Sequence, residues 1–249
     1  MASESYIPTK ATQQVEFLKK YPEYDGRGIK MAIIDYDIID PSLPGMQKTS
    51  TGLPKIFDVL DKFKVTVDTS TVVETQIAKK NIKFIIGLSG RKLNIPKSWK
   101  NISDKWHIGS VPFKELKDVC LETDEIIECK VLEKAVRFHH GKSLRKNESK
   151  AMKDKIIDCI VWFDGEKWRA CIDTSFLNKD PNLARVKVLT NYENEYEFAF
   201  LDDKLIYCVN ICDNGNSLNL MYPHDDHATQ VAHVAAGYFP GSSKTVKMY

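Results

Sequence analysis

The chain has 249 residues, of which 43% are hydrophobic and 10% aromatic, so it carries enough apolar side chains to build a sizeable core. Its 36 basic and 34 acidic residues leave a formal charge of +2, which excludes a global field that attracts nucleic acid or an anionic membrane. We therefore expect neither nucleic acid nor membrane as a partner.

The start of the chain and its cysteines both point to a cytoplasmic protein. Residues 1–14 are polar and lack the basic stretch and apolar run of a secretory signal, and no later apolar run approaches a membrane span. The six cysteines form no Cys-x-x-Cys pair, which disfavours a zinc knuckle and a dense disulfide scaffold. We expect reduced thiols, most of them in cores. The cysteines are Cys120, Cys129, Cys159, Cys171, Cys208 and Cys212.

The first predicted elements lead to a carboxylate at a strand end. Residues 13–20 have helical character, and a turn rich in Pro and Gly follows over residues 21–28. The apolar, β-branched run over residues 29–34 predicts a buried strand of an α/β sheet, with Asp35 at its C-terminal end. Catalytic groups gather at that end of such sheets, because the strand fixes the backbone while the next loop opens.

The middle of the chain is predicted to be rich in strands. Residues 40–52 have the composition of a loop, and the β-branched content of residues 55–61, 64–73 and 83–88 predicts a strand in each. Residues 130–155 are basic and favour helix. We interpret them as a solvated surface, with nucleic-acid binding as the alternative.

Two hairpins are predicted in the second half of the chain. Residues 156–163 and 166–173 are apolar runs on either side of an Asp-Gly pair, which is a strong hairpin signal. Residues 205–212 and 217–221 flank Asp-Asn-Gly-Asn in the same way. In the second hairpin, alternation places Tyr207, Val209 and Ile211 on one face.

A histidine near the end of the chain is the second candidate functional residue. Residues 227–237 combine His227 with small residues, which let a helix pack closely on a sheet. We predict that His227 begins this helix, with Asp225 and Asp226 as caps. An imidazole held there takes a proton from a hydroxyl when a carboxylate orients its other nitrogen, as serine hydrolases require.

Each candidate has a simpler alternative. Asp35 at a strand end is also suited to accept a hydrogen bond from a loop N–H. The group of His224, Asp225, Asp226, His227 and His233 allows metal binding, but its spacing fits no standard helical metal motif. Ser89 lacks the Gly-x-Ser-x-Gly spacing of a nucleophile elbow, so we interpret it as a turn serine.

The order of Asp35 and His227 resembles that of the subtilisin-like serine peptidases, whose acid lies in Asp-Thr/Ser-Gly and whose base lies in His-Gly-Thr-His-Val-Ala. Within them the chain is similar to the tripeptidyl peptidase II family, which has an unusually long insertion between these two residues. Residues 21–28, 87–99 and 161–173 carry this likeness, which runs from about Phe17 to about Pro240 and is thin between Val111 and Lys155.

The resemblance implies an α/β fold: an incomplete subtilisin-like fold with a β-rich insertion between the Asp and His segments. We expect three parts. Residues 1–61 form a leader and the first part of the subtilisin-like domain, with Asp35. Residues 62–203 form the insertion, and residues 204–249 form a truncated segment with His227.

The catalytic loops depart from the family pattern. Tyr36 and Asp37 replace the Thr-Gly pair, and a second carboxylate beside Asp35 is expected to compete for the imidazolium or to raise the pKa of its neighbour. Ala228 replaces a Gly and is expected to crowd the groove, and Gln230 replaces the second His of the motif. No Gly-Thr-Ser segment or oxyanion-hole Asn follows His227.

The resemblance implies serine-type release of N-terminal tripeptides from peptide substrates, with Asp35 as the orienting carboxylate, His227 as the general base, and no cofactor or metal. Because the serine nucleophile is absent, we expect the chain to be inactive alone. The alternative is a non-catalytic, assembly-modulating fragment, which forms a homo-oligomer or binds a full-length relative.

Overall fold

The computed structural model describes residues 11–116, 156–175, 181–201 and 205–238. The segment predicted to be a basic surface, residues 130–155, lies outside these ranges. Helices α1, α2 and α3 span Gln14–Lys20, Tyr192–Glu195 and His227–Ala236. The strands in chain order are β1 (Val65–Asp68), β2 (Thr71–Glu74), β3 (Gln76–Ala78), β4 (Ile82–Ile86), β5 (Lys92–Asn94), β6 (Lys105–Pro112), β7 (Ile156–Phe163), β8 (Trp168–Ile172), β9 (Ala199–Phe200), β10 (Ile206–Cys212) and β11 (Ser217–Met221).

The described strands form three sheets in which neighbouring strands run antiparallel. The strand orders are β1-β11-β10-β9, β2-β6-β7-β8 and β3-β4-β5. In the first sheet Val65 of β1 lies opposite Leu220 of β11. The sheet therefore crosses the boundary that we expected between residues 203 and 204.

Both predicted hairpins are confirmed. β7 pairs with β8 from Phe163 opposite Trp168, and β10 pairs with β11 from Cys212 opposite Ser217. Gly215 closes the second turn with φ of 84°, and a Cβ there would lie 2.3 Å from the ring of Trp168. This turn therefore requires glycine for both its backbone and its packing.

The main core lies between the first two sheets. Tyr207, Val209 and Ile211 face this core as the alternation predicts, while Cys208 points to the opposite side. Cys159 and Cys171 are also buried and unpaired, as expected for structural thiols. Burial raises the pKa of Cys159 and of Cys171, and it raises the pKa of Cys208 to about 12.

A second core is built around indole rings. Trp99 stacks on Trp162 with ring centroids 4.5 Å apart, and Trp106 lies 5.3 Å from Trp162 at a tilt. The Trp162 ring donates its N–H to the carbonyl of Lys100 at 2.9 Å, so its polar atom is satisfied. The Trp106 and Trp162 rings are buried in this core, and the partly buried Trp99 packs against them.

Other strand predictions have mixed outcomes. The prediction for residues 83–88 is confirmed by β4, and residues 64–73 contain β1 and the start of β2, separated by a turn. The prediction for residues 55–61 is wrong, because that segment is irregular even though Ile56 and Val59 are buried.

The predicted buried strand over residues 29–34 is also wrong. These residues have extended coil rather than strand structure, and Ile29, Met31 and Ile34 are 70%, 56% and 95% exposed. No strand among the described residues lies beside this run to exchange backbone hydrogen bonds with it. The apolar run is present, but the described part of the chain offers it no neighbouring strand with which to pair.

Candidate active site

Asp35 and His227 lie against each other, although they are 192 positions apart in the chain. The Oδ2 atom of Asp35 is 2.9 Å from the Nδ1 atom of His227. The other carboxylate oxygen, Oδ1, accepts the N–H of Tyr36 at 2.8 Å. The Asp35 side chain is 10% exposed and the His227 side chain 58% exposed. The carboxylate is thus sheltered and doubly held, while the imidazole is open to solvent.

His227 begins helix α3, as predicted, and the two aspartates before it act differently. Asp225 Oδ1 accepts the backbone N–H of His227 at 2.7 Å, so it satisfies a free donor at the helix start. The Asp226 carboxylate instead accepts the side-chain N–H of Gln230 at 2.7 Å. The departure at position 230 therefore adds a bond within the first turn of the helix.

Helix α3 is also fixed to the loop that follows Asp35. Thr229 is buried, and its hydroxyl accepts the N–H of Asp40 at 2.8 Å. The Nε2 atom of His233 lies 2.9 Å from the carbonyl oxygen of Pro44. These contacts place the acid-bearing loop alongside the helix, so the backbone geometry of the pair does not depend on one hydrogen bond.

Asp37 does not compete for the imidazole, so that expectation is wrong. Its Oδ1 atom accepts the N–H of Ile38 at 2.7 Å, and its Oδ2 atom accepts the N–H groups of His224, at 2.7 Å, and Asp225. Burial raises the pKa of Asp37, and these hydrogen bonds oppose the rise only in part. Asp37 thus links the loop that carries Asp35 to the residues that directly precede helix α3.

Ala228 is accommodated without strain at the start of helix α3, and the expectation that it crowds a groove stays a prediction. It lies in the first turn of α3 and is fully buried, so its methyl group packs inward. An alanine in a helix adopts ordinary backbone angles, and the extra Cβ requires no unusual conformation.

Tyr36 makes a contact that the sequence reasoning missed. Its ring stacks on the His227 imidazole with centroids 6.0 Å apart and planes 26° from parallel. The Asp225 carboxylate near its hydroxyl, aided by burial, raises the pKa of Tyr36 to about 12. The sequence signal that could have indicated this contact is the replacement of a small residue by Tyr36 directly after Asp35.

Ser89 belongs to a buried ionic network, in agreement with its interpretation as a structural residue. Its hydroxyl donates to the Asp158 carboxylate at 2.5 Å, and Arg91 bridges Asp158, at 2.8 Å, and Asp173, at 3.1 Å. A Cβ at Gly87 would lie 2.5 Å from the Asp158 carboxylate, so only glycine fits there. The network joins the β4-β5 turn to β7 and β8 and has no contact with His227 among the described residues.

Within residues 11–116, 156–175, 181–201 and 205–238, no three His, Cys, Asp or Glu side chains converge as metal ligands. No helix in the described part of the chain has both the length and the apolar character that crossing a membrane requires.

The fold and the site together define a class. The chain contains helices and sheets and sets a loop aspartate against a histidine at a helix start, which is the kind of acid–base contact that serine hydrolases use. Chemically, the arrangement leaves Nε2 of His227 to exchange a proton with a third group, since Nδ1 is held by Asp35.

The comparisons with known proteins narrow this class. A protein from Caenorhabditis elegans named Tripeptidyl-peptidase 2 is 34% identical over 267 aligned residues, covering 92% of this chain and 19% of the relative. Proteins of the same name from Oryza sativa subsp. japonica and Arabidopsis thaliana are 34% and 30% identical, each covering 95% of this chain and 20% of the relative. The chain belongs to the tripeptidyl-peptidase 2 family.

A solved structure agrees with this assignment at the level of fold. The crystal structure of Tripeptidyl Peptidase 2 (TPP II) superimposes with a TM-score of 0.59 at 20% identity, and the match covers 91% of this chain and 20% of that one. No family model matches the chain. The chain thus spans about a fifth of the length of the relatives that it matches.

Proposed function

We propose that Asp35 and His227 are the acid and the base of a serine-peptidase triad, in a chain whose family function is release of N-terminal tripeptides from peptides. The observation that carries the proposal is the 2.9 Å contact between Asp35 Oδ2 and His227 Nδ1, formed across 192 positions of sequence. The sheltered carboxylate and the open imidazole fit the unequal roles of an orienting acid and a proton-transferring base.

In this chemistry Asp35 holds the imidazole so that Nε2 is free to accept a proton. A serine hydroxyl attacks the peptide carbonyl carbon as its proton passes to Nε2, and the imidazolium then gives that proton to the departing amine. Water repeats the two steps to release the acyl group. The 249 residues contain no Gly-Thr-Ser segment after His227, so we propose that they do not hydrolyse peptides by themselves.

We retain the three-part organisation of residues 1–61, 62–203 and 204–249 as a proposal, in which the middle part is an insertion whose sheet extends into the last part through β10 and β11. We also propose a cytoplasmic location, which the buried, unpaired thiols of Cys159, Cys171 and Cys208 support.

A chimaera tests the proposal directly. This chain replaces the matching fifth of the Caenorhabditis elegans relative, and cleavage of a fluorogenic tripeptide amide is measured. We expect cleavage by the chimaera, loss of about 10⁴-fold or more in kcat on His227→Ala, and no turnover by the 249-residue chain alone.

The matched control is His107→Ala, because that imidazole contacts the Thr69 carbonyl and the Trp168 ring and lies outside the site. Equal activity in the His227→Ala chimaera and its parent would contradict the assignment of the base. A chimaera that assembles without cleaving would count against a functional pair, and turnover by the isolated chain would refute its inactivity.

A second candidate function is interaction with a full-length relative. One observation favours it: Ile29, Met31 and Ile34 form an exposed apolar run with strand-like sequence and no strand partner in the described residues. Lys30 lies over the ring of Phe57, which places a further exposed apolar side chain beside this run. Because the chain spans a fifth of its relatives, the partner that we propose for this surface is a full-length tripeptidyl-peptidase 2 chain.

Size-exclusion chromatography tests this second candidate. We expect the chain to elute with the Caenorhabditis elegans relative, and the Ile34→Ser variant to elute less with it. A matched control is Ile102→Ser, an exposed isoleucine outside the run. Two independent species in the mixture with the unaltered chain would reject the interaction.

A further inference from the structure

The imidazole of His227 is held by more than the aspartate that faces it. A single hydrogen bond at Nδ1 fixes one atom of the ring, and a side chain that is 58% exposed has solvent around most of the remainder. Rotation about the side-chain torsions would then carry Nε2 away from a nucleophile, so productive geometry requires a second restraint on the ring plane.

Tyr36 supplies a contact of this kind. Its ring lies over the imidazole with the planes 26° from parallel, a stacked arrangement that limits rotation of either ring. Tyr36 is itself 53% exposed, so packing around it does not fix its position. The hydroxyl of Tyr36 must therefore be anchored if the stack is to persist.

Asp225 is the anchor. Its carboxylate accepts the backbone N–H of His227 at 2.7 Å, and its interaction with the Tyr36 hydroxyl is the largest of the causes that raise the pKa of that hydroxyl. Burial raises the pKa of Asp225, but the polar groups around it, with the Tyr36 hydroxyl and the N–H of His227 first among them, together lower that pKa. Asp225 thus holds the backbone of His227 and lies beside the hydroxyl of the ring that covers its imidazole.

Asp37 adds a further link between the loop that carries Asp35 and the start of helix α3. Asp37 follows Tyr36 in the chain, and its carboxylate accepts the backbone N–H of Asp225. The backbone N–H of Tyr36 meanwhile donates to Asp35, the residue that faces the imidazole. The acid loop and the helix start are therefore joined on both sides of Tyr36.

We propose that Tyr36 and Asp225 are positioning residues that clamp the His227 imidazole against Asp35, so that the ring plane is set before any substrate or nucleophile arrives. The proposal deepens the proposed function and rests on it, because it specifies how the base is held. In this proposal Tyr36, which departs from the Thr/Ser-Gly pattern, contributes to the site and does not weaken it. Among the described residues, Asp35 and Asp225 are the charged groups with a hydrogen bond to this histidine.

The first test is nuclear magnetic resonance of the 249-residue chain labelled at histidine and tyrosine. We expect contacts between the Tyr36 and His227 rings, a ring-current shift of the His227 resonances, and one side-chain rotamer for His227. Tyr36→Thr should abolish the shift and allow rotamer averaging, whereas Tyr36→Phe keeps the ring and should retain part of the shift.

The same samples test the role of Asp225 independently, through the pH at which Tyr36 ionises. Tyr36 should remain protonated up to about pH 11 in the unaltered chain, and it should ionise near the ordinary tyrosine pKa of about 10 in Asp225→Asn. Tyr24→Phe is the matched control, because Tyr24 is exposed and stacks only with Phe17 and Tyr21 among the described rings. It should leave the His227 resonances unchanged.

The second test uses the chimaera, in which Tyr36→Thr should lower kcat by about 10- to 100-fold with KM unchanged, and Tyr36→Phe should lose less. Equal His227 shifts and rotamers in the unaltered chain and Tyr36→Thr would overturn the clamp, whatever the activity. An inactive chimaera with the ring contacts intact would refute the catalytic role alone. The failures of the two proposals are thus distinguishable.

Discussion

The three β-sheets, which form the body of the structure, and the segment that carries Asp35 each contain a short apolar run. The run in the sheets is a buried strand, whereas the run before Asp35 is exposed. Residues 29–34 and strand β7, Ile156–Phe163, are both short, β-branched and apolar. In β7, Ile157, Ile160 and Val161 are fully buried, whereas Ile34 is almost fully exposed. The composition of a run therefore does not decide whether it becomes a buried strand.

The difference lies in the neighbours. β7 pairs with β6 on one side and β8 on the other, and cores cover both of its faces. Residues 29–34 have no strand partner among the described residues, and only Ile33 packs on a core, through its partly buried side chain. A strand forms where its backbone N–H and C=O groups have hydrogen-bonding partners. The apolar pattern indicates only that its side chains are suited to burial.

The largest effect is expected in the body, at the ionic network beneath β7. Asp158→Ala should lower the free energy of unfolding by about 3–5 kcal/mol, because it removes the buried carboxylate that Ser89 and Arg91 share and leaves Arg91 with Asp173 alone. Urea unfolding measures the change. The control is Asp104→Ala, an exposed partner of Lys83 that should change stability by about 1 kcal/mol or less. Equal effects of the two variants would show that the body does not depend on the network.

A matched pair of isoleucines tests the comparison between the two runs. Ile160→Ala should lower the free energy of unfolding by about 2–5 kcal/mol, since it leaves a cavity between packed strands. Ile34→Ala should change it by about 0.5 kcal/mol or less, since the side chain is exposed in this structure. A comparable loss for Ile34→Ala in the isolated chain would mean that residues 29–34 are covered in solution.

Local signals predicted the hairpins and the helix start. The Asp-Gly pair after Phe163 and the Asn-Gly pair after Asp213 fix tight turns within a few residues of sequence, so both registers follow from short-range chemistry. His227 was placed at a helix start because carboxylates precede it and small residues follow it. The pairing of Asp35 with His227 was expected from the order of the two residues and the motifs of a known family, and not from any local sequence pattern.

What the sequence did not reveal depends on partners far away in the chain. The stacking of Tyr36 on His227 joins residues 191 positions apart, and no local pattern reports it. The Asp158 carboxylate inside an apolar strand was a visible signal, but its partner Arg91 lies 67 positions earlier. Asp37 was misread for the same reason, because its neighbours in space are the backbone N–H groups before helix α3.

The smallest expected effect concerns the turn between β7 and β8, where the body meets solvent. Burial alone would raise the pKa of Asp164, but hydrogen bonds from the N–H of Lys167, the Arg169 side chain and the N–H of Glu166 lower it to about 2. The ordinary pKa of an unfolded aspartate is about 3.9, so ionised Asp164 favours the folded state. This contribution is complete above about pH 4 and is lost as the pH falls through 2.

Asp164→Asn should therefore reduce the free energy of unfolding by no more than about 1 kcal/mol near neutral pH, since the turn is partly open to solvent. The difference from the unaltered chain should shrink between about pH 4 and pH 2, as urea unfolding at a series of pH values will show. Asp58→Asn, at an exposed position outside β7 and β8, controls for loss of an acidic group. A constant difference across that range would mean that the turn is stabilised by its shape and not by the charge of Asp164.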